Sequence, residues 1–205
     1  MGDCELMGRG RTVILAAGDF PRTGGTAWKL LAGATRVIAC DSAADAYHRR
    51  FREWPDVVIG DLDSLRARTV PCRVVADADQ DTNDLEKAMA YCAKRGWKNP
   101  VIVGATGKRE DHTIGNIFRA LDYGCEIVTD RGRFLPVRGQ ATFRVRTGAA
   151  ISVFAPNPKT RMTSKGLEWP LDGVEFRTLY CATLNRATAA RVTLTATHPV
   201  CVYLM

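Results

Sequence analysis

Apolar residues in the first 130 positions come in short unbroken runs rather than alternating with polar ones. Six such runs, at residues 12–17, 36–40, 56–60, 73–76, 100–104 and 126–129, are rich in Val, Ile and Ala and read as strands. Continuous hydrophobicity is what a strand needs when both faces are covered, as in a parallel sheet flanked by helices. After the fourth run, Leu85, Ala88, Met89 and Cys92 recur at i, i+3, i+4 and i+7, one face of a helix over 84–94. Asn83, followed three residues later by Glu86, supplies a capping box at its start. Ile114, Ile117, Phe118 and Leu121 repeat the same spacing. Strands alternating with helices predict a doubly wound, mostly parallel α/β domain.

The pattern changes near Arg131-Gly132-Arg133. Short alternating runs at 141–146, 150–155, 192–197 and 201–204 are broken by Gly, Pro and Asn, with no helical periodicity of useful length. They predict a small C-terminal all-β domain, a sandwich. The expected division is an α/β domain over 12–132 and a β-domain over 133–205.

Composition narrows the class. With 46% hydrophobic and 25% charged residues the chain is globular. At 205 residues it should bury roughly 70% of its extended-chain surface, enough for a core without staples. No apolar run reaches the ~18 residues a membrane span needs, so no membrane partner is expected. Residues 1–11 lack the apolar centre of a signal peptide and read as a short lead-in. Seven cysteines are scattered without a Cys-x-x-Cys pair, which suits reduced thiols in a cytoplasmic protein rather than disulfides or zinc.

The net charge of +7 is uneven. Residues 1–130 carry 18 Lys/Arg against 19 Asp/Glu, and residues 131–205 carry 11 against 3. A basic module raises the question of nucleic acid, but these arginines are spread singly through strand-like segments without a basic helix or an RNA-binding aromatic motif. A solvated face, or one that meets phosphate, is the expectation, with no nucleic-acid partner.

The candidate chemistry is acidic. Val57-Val58-Ile59-Gly60-Asp61-Leu62-Asp63-Ser64 ends in carboxylates at i and i+2, which a strand's period of two places on one side where the strand stops. Asp41 follows the run at 36–40, and Thr106-Gly107 follows the run at 100–104. Three strand ends thus deliver polar groups to the rim where open α/β sheets bind ligands. Two carboxylates 4 Å apart repel by about 1 kcal/mol in water and about 4 kcal/mol at an effective dielectric of about 20. A cation must neutralise them, and an all-oxygen ligand set suits Mg²⁺. Asp81 and Asp84 stand at the start of the 84–94 helix, where the dipole alone stabilises an acid by about 0.3–1 kcal/mol. Asp84 is favoured for the metal or phosphate site, and Asp81 is left open between the two roles. In Gly104-Ala105-Thr106-Gly107-Lys108-Arg109-Glu110-Asp111-His112, small residues are followed by two cations and an acid opening a helix whose N–H groups can take phosphate. It is not a Walker A loop, because Gly104 and Gly107 are too close and no Ser or Thr follows Lys108.

In this order and spacing, Gly60-Asp61-Leu62-Asp63-Ser64, the stretch from Asp79 to Lys87, and the segment from Gly104 to His112 resemble the thiamine pyrophosphokinase family. Gly166-Leu167-Glu168-Trp169-Pro170-Leu171 and Thr195-Ala196-Thr197-His198-Pro199 are similar to that family's β-domain motifs, so the resemblance covers about residues 12–205. It implies transfer of the β,γ-diphosphate of ATP to the thiamine hydroxyl, with Mg²⁺ and release of AMP. It also implies an ATP- and Mg-binding α/β domain, a thiamine-binding β-sandwich, and a homodimer with active sites between subunits. By motif match Asp41, Asp61, Asp63, Asp84 and Asp111 fall on catalytic acids, with Asp61, Asp63 and Asp84 as metal ligands. Thr106, Gly107, Lys108, Arg109, His112 and Asn116 fall on the nucleotide side, and Gln80, Trp169 and Asn185 on the thiamine side. The chain departs from the family pattern at Ser42-Ala43-Ala44, where a Gly-rich turn is usual, at Lys108 for Gly, and at Leu184 for Ser. Trp169 also reads as a core aromatic of the sandwich. Two readings from other classes are a haloacid-dehalogenase-like phosphatase, with the first Asp as nucleophile, and a non-catalytic nucleotide- or RNA-binding module suggested by the basic tail.

Overall fold

The computed structural model of the chain describes residues 11–205 except Arg68, Ala78 and Gln80. The expected lead-in and the thiamine-side candidate Gln80 therefore lie outside the described residues, apart from Arg11. The chain separates into two compact units between Asp130 and Arg131.

The first unit holds β1 (Thr12–Leu15), β2 (Arg36–Cys40), β3 (Val57–Gly60), β4 (Arg73–Ala76), β5 (Val101–Val103) and β6 (Glu126–Val128). All six apolar runs are strands. They pair in parallel in the order β4-β3-β2-β1-β5-β6. Helices α1 (Thr26–Ala32), α2 (Ala43–Phe51), α3 (Asp84–Lys94) and α4 (Glu110–Tyr123) intervene. On one face of the sheet, Val13, Leu15, Val37, Ala39, Val58, Val101 and Val103 pack with α1 and α2 through Leu30, Leu31, Ala44 and Tyr47. Ile14, Ile38, Ile59 and Ile102 hold the alternate positions, also buried, and α3 lies against β1, β2 and β3. Each such side chain contributes about 1.5–3 kcal/mol on burial. β4 departs from the pattern: it is an edge strand paired only with β3 among the described residues, and most of it is exposed.

α3 begins and ends where the periodicity places it. The Asn83 side chain accepts the Glu86 N–H at 2.8 Å, one half of the expected capping box, while the Glu86 carboxylate pairs with Arg119. α4 is turned differently from expectation. Leu121 is buried, but Ile114 is 60% exposed and the polar Asn116 is buried instead. Asn116 is drawn inward because it bonds the Ala105 carbonyl (2.9 Å) and Asn83 (3.3 Å), and burial of a carboxamide is tolerated only with such partners.

The second unit is all-β: β7 (Arg133–Arg144), β8 (Ala150–Phe154), β9 (Met162–Lys165), β10 (Ala182–Arg186) and β11 (Arg191–Leu204). β7 and β11, far apart along the chain, form one long antiparallel pair whose register shifts between Ala196 and Val200. Before that bulge β11 also pairs with β9, and after it with β8, which pairs in turn with β10. β11 is thus shared between two patches of sheet, a bulge being the usual device for such a bend. Val192, Leu194, Val200, Val202, Ile151, Val153, Met162 and Phe176 close the core between them. Trp169 is not part of that core: it is 53% exposed, and the buried aromatic is Phe176.

Candidate active site

In the first unit, the order in which strands are added reverses between β1 and β5: β2, β3 and β4 are laid down on one side of β1, while β5 and β6 are laid down on the other. Open α/β sheets bind ligands at such a switch point, outside the carboxyl ends of the strands. A cavity of about 290 Å³ lies there, lined by the Ala16-Ala17-Gly18 turn, Asp84, Gly107, Arg109, His112 and Asn116 among others.

Its walls fit closely because glycines let backbone meet backbone. The Gly18 N–H donates to the Gly104 carbonyl (2.7 Å), the Asp19 N–H to the Thr106 carbonyl (2.8 Å) and the Lys108 ammonium to the Ala17 carbonyl (2.8 Å). A Cβ at Gly18 would stand 2.5 Å from two of these carbonyl oxygens. Gly18 and Asp19 were not among the sequence candidates. The signal was faint: a Gly just past the first strand.

At the acid end, Asp41, Asp61 and Asp84 present carboxylate oxygens that all lie within 4.8 Å of one another. The expected trio was Asp61, Asp63 and Asp84; the group that converges contains Asp41 and not Asp63. β3 stops at Gly60 and Leu62 adopts φ 67°, which removes the strand geometry assumed for the pair. Instead the Asp63 N–H donates to Asp61 Oδ1 (3.3 Å). The Asp63 carboxyl stays close, and the negative charge of Asp61, then loss of water and the charge of Asp41, raise its pKa. Asp41 sits at φ 42° straight after β2, a left-handed position that Asp tolerates better than most residues. Gly60 makes the convergence possible, since a Cβ there would come within 3.0 Å of Asp41 Cβ and 3.2 Å of Asp84 Oδ1.

The trio fits a hard divalent cation. Asp41 is 3% exposed; its Oδ2 accepts from the Ser64 hydroxyl (2.5 Å) and N–H (3.2 Å), while its Oδ1 is buried without a hydrogen-bond partner. A buried carboxylate oxygen left bare costs free energy that a metal ion recovers. Asp84 is half-buried, and burial raises its pKa against the opposing pull of Lys87, with Asp41, Asp61 and Asp63 adding to the rise. Lys87 closes the motif that begins at Asp79 and lies outside the expected site residues. It is buried, 3.7 Å from Asp84, and its ammonium donates to the Asp77 carbonyl (2.7 Å). The i, i+3 spacing of Asp84 and Lys87 carried that contact.

Arg109, which also lines the cavity, precedes α4 and grips Asp111 through two bonds, Nε to Oδ1 (3.1 Å) and Nη2 to Oδ2 (2.5 Å). Those bonds, with the His112 N–H, depress the Asp111 pKa to about 2. Asp111 is therefore a support for Arg109 and stands outside the acid trio. Thr106 contributes its carbonyl, and Gly107 (φ 80°) and Lys108 (φ 57°) turn the loop. Asn116 is occupied in holding the loop to the α3 cap.

In the second unit, Asn185 is buried and its carboxamide is fully engaged. Its Nδ2 donates to the Trp169 carbonyl (2.7 Å), and its Oδ1 accepts from Arg186 N–H (2.8 Å) and Trp169 N–H (3.3 Å). Asn185 thereby fixes the backbone that presents Trp169. Beside it Leu184 is 86% exposed at φ 64°.

Comparison with known families assigns these two units. Residues 27–128 match the thiamin pyrophosphokinase catalytic domain, and residues 132–203 match the thiamin pyrophosphokinase substrate-binding domain. The chain belongs to the thiamine pyrophosphokinase family.

Among its relatives, thiamin pyrophosphokinase 1 of Caenorhabditis elegans is 27% identical over 179 residues, 77% of this chain and 73% of that protein. Thiamine pyrophosphokinase 1 of Arabidopsis thaliana is 29% identical over 157 residues, 65% of this chain and 58% of that protein. The crystal structure of a thiamin pyrophosphokinase family protein from Enterococcus faecalis superposes with a TM-score of 0.75 at 13% identity, covering 95% of this chain and 97% of that one. That likeness shows the same fold, an α/β catalytic domain followed by a β-rich domain. Membership makes the protein an enzyme of the thiamine pyrophosphokinase kind and implies ATP as co-substrate. The phosphatase and the non-catalytic binding module are not favoured by these matches. No helix among the described residues is long and apolar enough to cross a membrane.

Proposed function

We propose that the protein transfers the β,γ-diphosphate of ATP to the hydroxyl of thiamine, releasing AMP. The observation that carries this reading is the trio Asp41, Asp61 and Asp84, with a bare buried oxygen, whose Asp84 lines the switch-point cavity together with Arg109 and His112. Mg²⁺ suits the trio, because it binds through a few carboxylates and completes its octahedron with phosphate oxygens and water; when bound it would supply neutralisation of the phosphate tail. Asp63 flanks the trio. Arg109, aligned by Asp111, offers its guanidinium to phosphate oxygens as charge builds on them, the kind of fixed electrostatic support that lowers a transfer barrier most. Gly107 and the Thr106 carbonyl hold the loop close enough for the nucleotide, while His112 lines the cavity and Asn116 anchors it.

In this reading the α/β domain over 12–132 holds ATP and the metal, and the β-domain over 133–205 holds thiamine. Exposed Trp169 suits a flat cationic ring, an attraction worth about 0.5–2 kcal/mol. Asn185 acts through Trp169, and Gln80 remains a thiamine-side candidate by motif match alone. A cytoplasmic homodimer with active sites between subunits is part of the proposal and rests on the family motifs and the scattered free cysteines. The test is incubation with ATP, Mg²⁺ and thiamine, followed by identification of the nucleotide product. AMP and thiamine diphosphate in equal amounts are expected; ADP would indicate an ordinary kinase, and phosphate alone a phosphatase.

A further inference from the structure

A second cleft, of about 520 Å³, shares the Ala16-Ala17-Gly18 turn and Lys108 with the switch-point cavity. Its remaining wall includes Phe20, Ser42, Asp45, Arg49 and Arg66. Ser42 stands in the turn where the chain departs from the family pattern, and the other four lie outside the motifs used above. The two arginines reach the cleft from separate elements, Arg49 from the last turn of α2 and Arg66 from the loop after the acid pair. Both are exposed, and among the described residues neither makes an ion pair.

The other charges in the cleft are already committed. The Lys108 ammonium donates to the Ala17 carbonyl. Asp45 Oδ2 accepts the Arg66 N–H at 2.8 Å, which ties the Arg66 loop to α2. A helix C-terminus favours basic residues and accounts for His48, Arg49 and Arg50 together on α2. It does not account for Arg66. Two guanidinium groups brought to one cleft repel, and an anion between them reverses that cost. Guanidinium presents a planar fork of donors matched to phosphate oxygens.

The cleft also adjoins the acid trio along the chain. Ser64, two residues before Arg66, bonds Asp41 through its hydroxyl, and Asp45 lies one helical turn beyond Asp41. A phosphate tail whose inner groups lie at the trio would therefore end near Arg49 and Arg66. We propose that this second cleft is a subsite for a terminal phosphate, and that Arg49 and Arg66 hold the γ-phosphoryl group of ATP. The subsite rests on the ATP reading of the neighbouring cavity. It gives the enzyme a means of telling a triphosphate from a diphosphate before transfer.

The experiment is equilibrium binding of ATP, ADP, AMP and inorganic pyrophosphate, with Mg²⁺, to the wild-type chain and to the double variant Arg49→Gln, Arg66→Gln. Both side chains are exposed and the Arg66 N–H is retained, so the variant should fold; unchanged AMP binding reports that it does. Expected is a loss of ATP affinity of tenfold or more, with ADP and AMP within twofold of wild type and pyrophosphate binding weakened. Unchanged ATP affinity, or equal weakening of all three nucleotides, would overturn the subsite. A wild-type chain that yields AMP and thiamine diphosphate while the variant keeps its preference for ATP sinks the subsite alone. A wild-type chain that yields no AMP sinks the ATP reading, while pyrophosphate bound by wild type and lost in the variant would still support a phosphate site here.

Discussion

The two oxygens of Asp41 have different fates: one is held by Ser64, and the other is buried and bare beside two more carboxylates. That arrangement serves ligand binding at the expense of stability, a common condition of active sites. Asp41→Asn removes one of three mutually repelling charges, so the metal-free variant should melt no lower than wild type while turnover falls a hundredfold or more. Added Mg²⁺ should raise the wild-type Tm, by mass action on the folded state, and should leave that of the variant unmoved. Thermal melts with and without Mg²⁺ check both statements. Across the cavity, Arg109 and Lys108 are neighbours with unequal parts. Arg109→Lys loses the two-point grip on Asp111 and should cut kcat at least tenfold. Lys108→Gly should keep most activity, since Lys108 is at φ 57°, where Gly is at ease, and its ammonium serves a backbone carbonyl. The Asp111 pKa is depressed, so the pair is fully formed above the ordinary carboxylate range and is lost only as pH falls through about 2. Titration of the Asp111 carboxyl by NMR should show that midpoint in wild type and a higher one in Arg109→Lys.

At the scale of elements, Gly60 at the end of β3 is the position on which the acid trio depends. Gly60→Ala sets a Cβ against Asp41 and Asp84 and forces φ 157° on a residue with a side chain, a conformation that costs about 1–3 kcal/mol. A lowered Tm together with loss of Mg²⁺ response is expected, read from the same melts. The strands and α3 were legible in sequence because one factor, burial on both faces or on one stripe, determined each pattern. α4 was legible as a helix but not in its rotation, because the hydrogen bonds of Asn116 outweigh the exposure of Ile114. The Asp61/Asp63 pair was read from strand period and is set by a turn: Leu62 at positive φ and the Asp61–Asp63 bond displace it. Asp41 could be placed at the same rim, but its admission to the trio depends on the missing Cβ of Gly60, a close approach that no single-sequence pattern reports. β9 and β10 leave no sequence signal because each is a run of four or five mostly polar residues whose partners lie far along the chain.

For the whole molecule, the change of pattern near Arg131 reflects a real change of architecture, from a parallel sheet under helices to antiparallel strands. The uneven charge and the two family domains follow the same line. Thiamine recognition by the β-domain would rest on Trp169, which the Asn185 clamp holds outward. Trp169→Ala should raise the thiamine KM about tenfold, in line with the loss of a cation–π contact and stacking area, and leave the ATP KM and the Tm nearly unchanged. A collapse of Tm would instead return Trp169 to a structural role. Transfer of the diphosphate as one unit can be followed with ATP labelled at the β-phosphorus. With Mg²⁺ and thiamine present, the label is expected in thiamine diphosphate, one for each AMP released. Label retained in ADP, with only the γ-phosphoryl group reaching the acceptor, would contradict it.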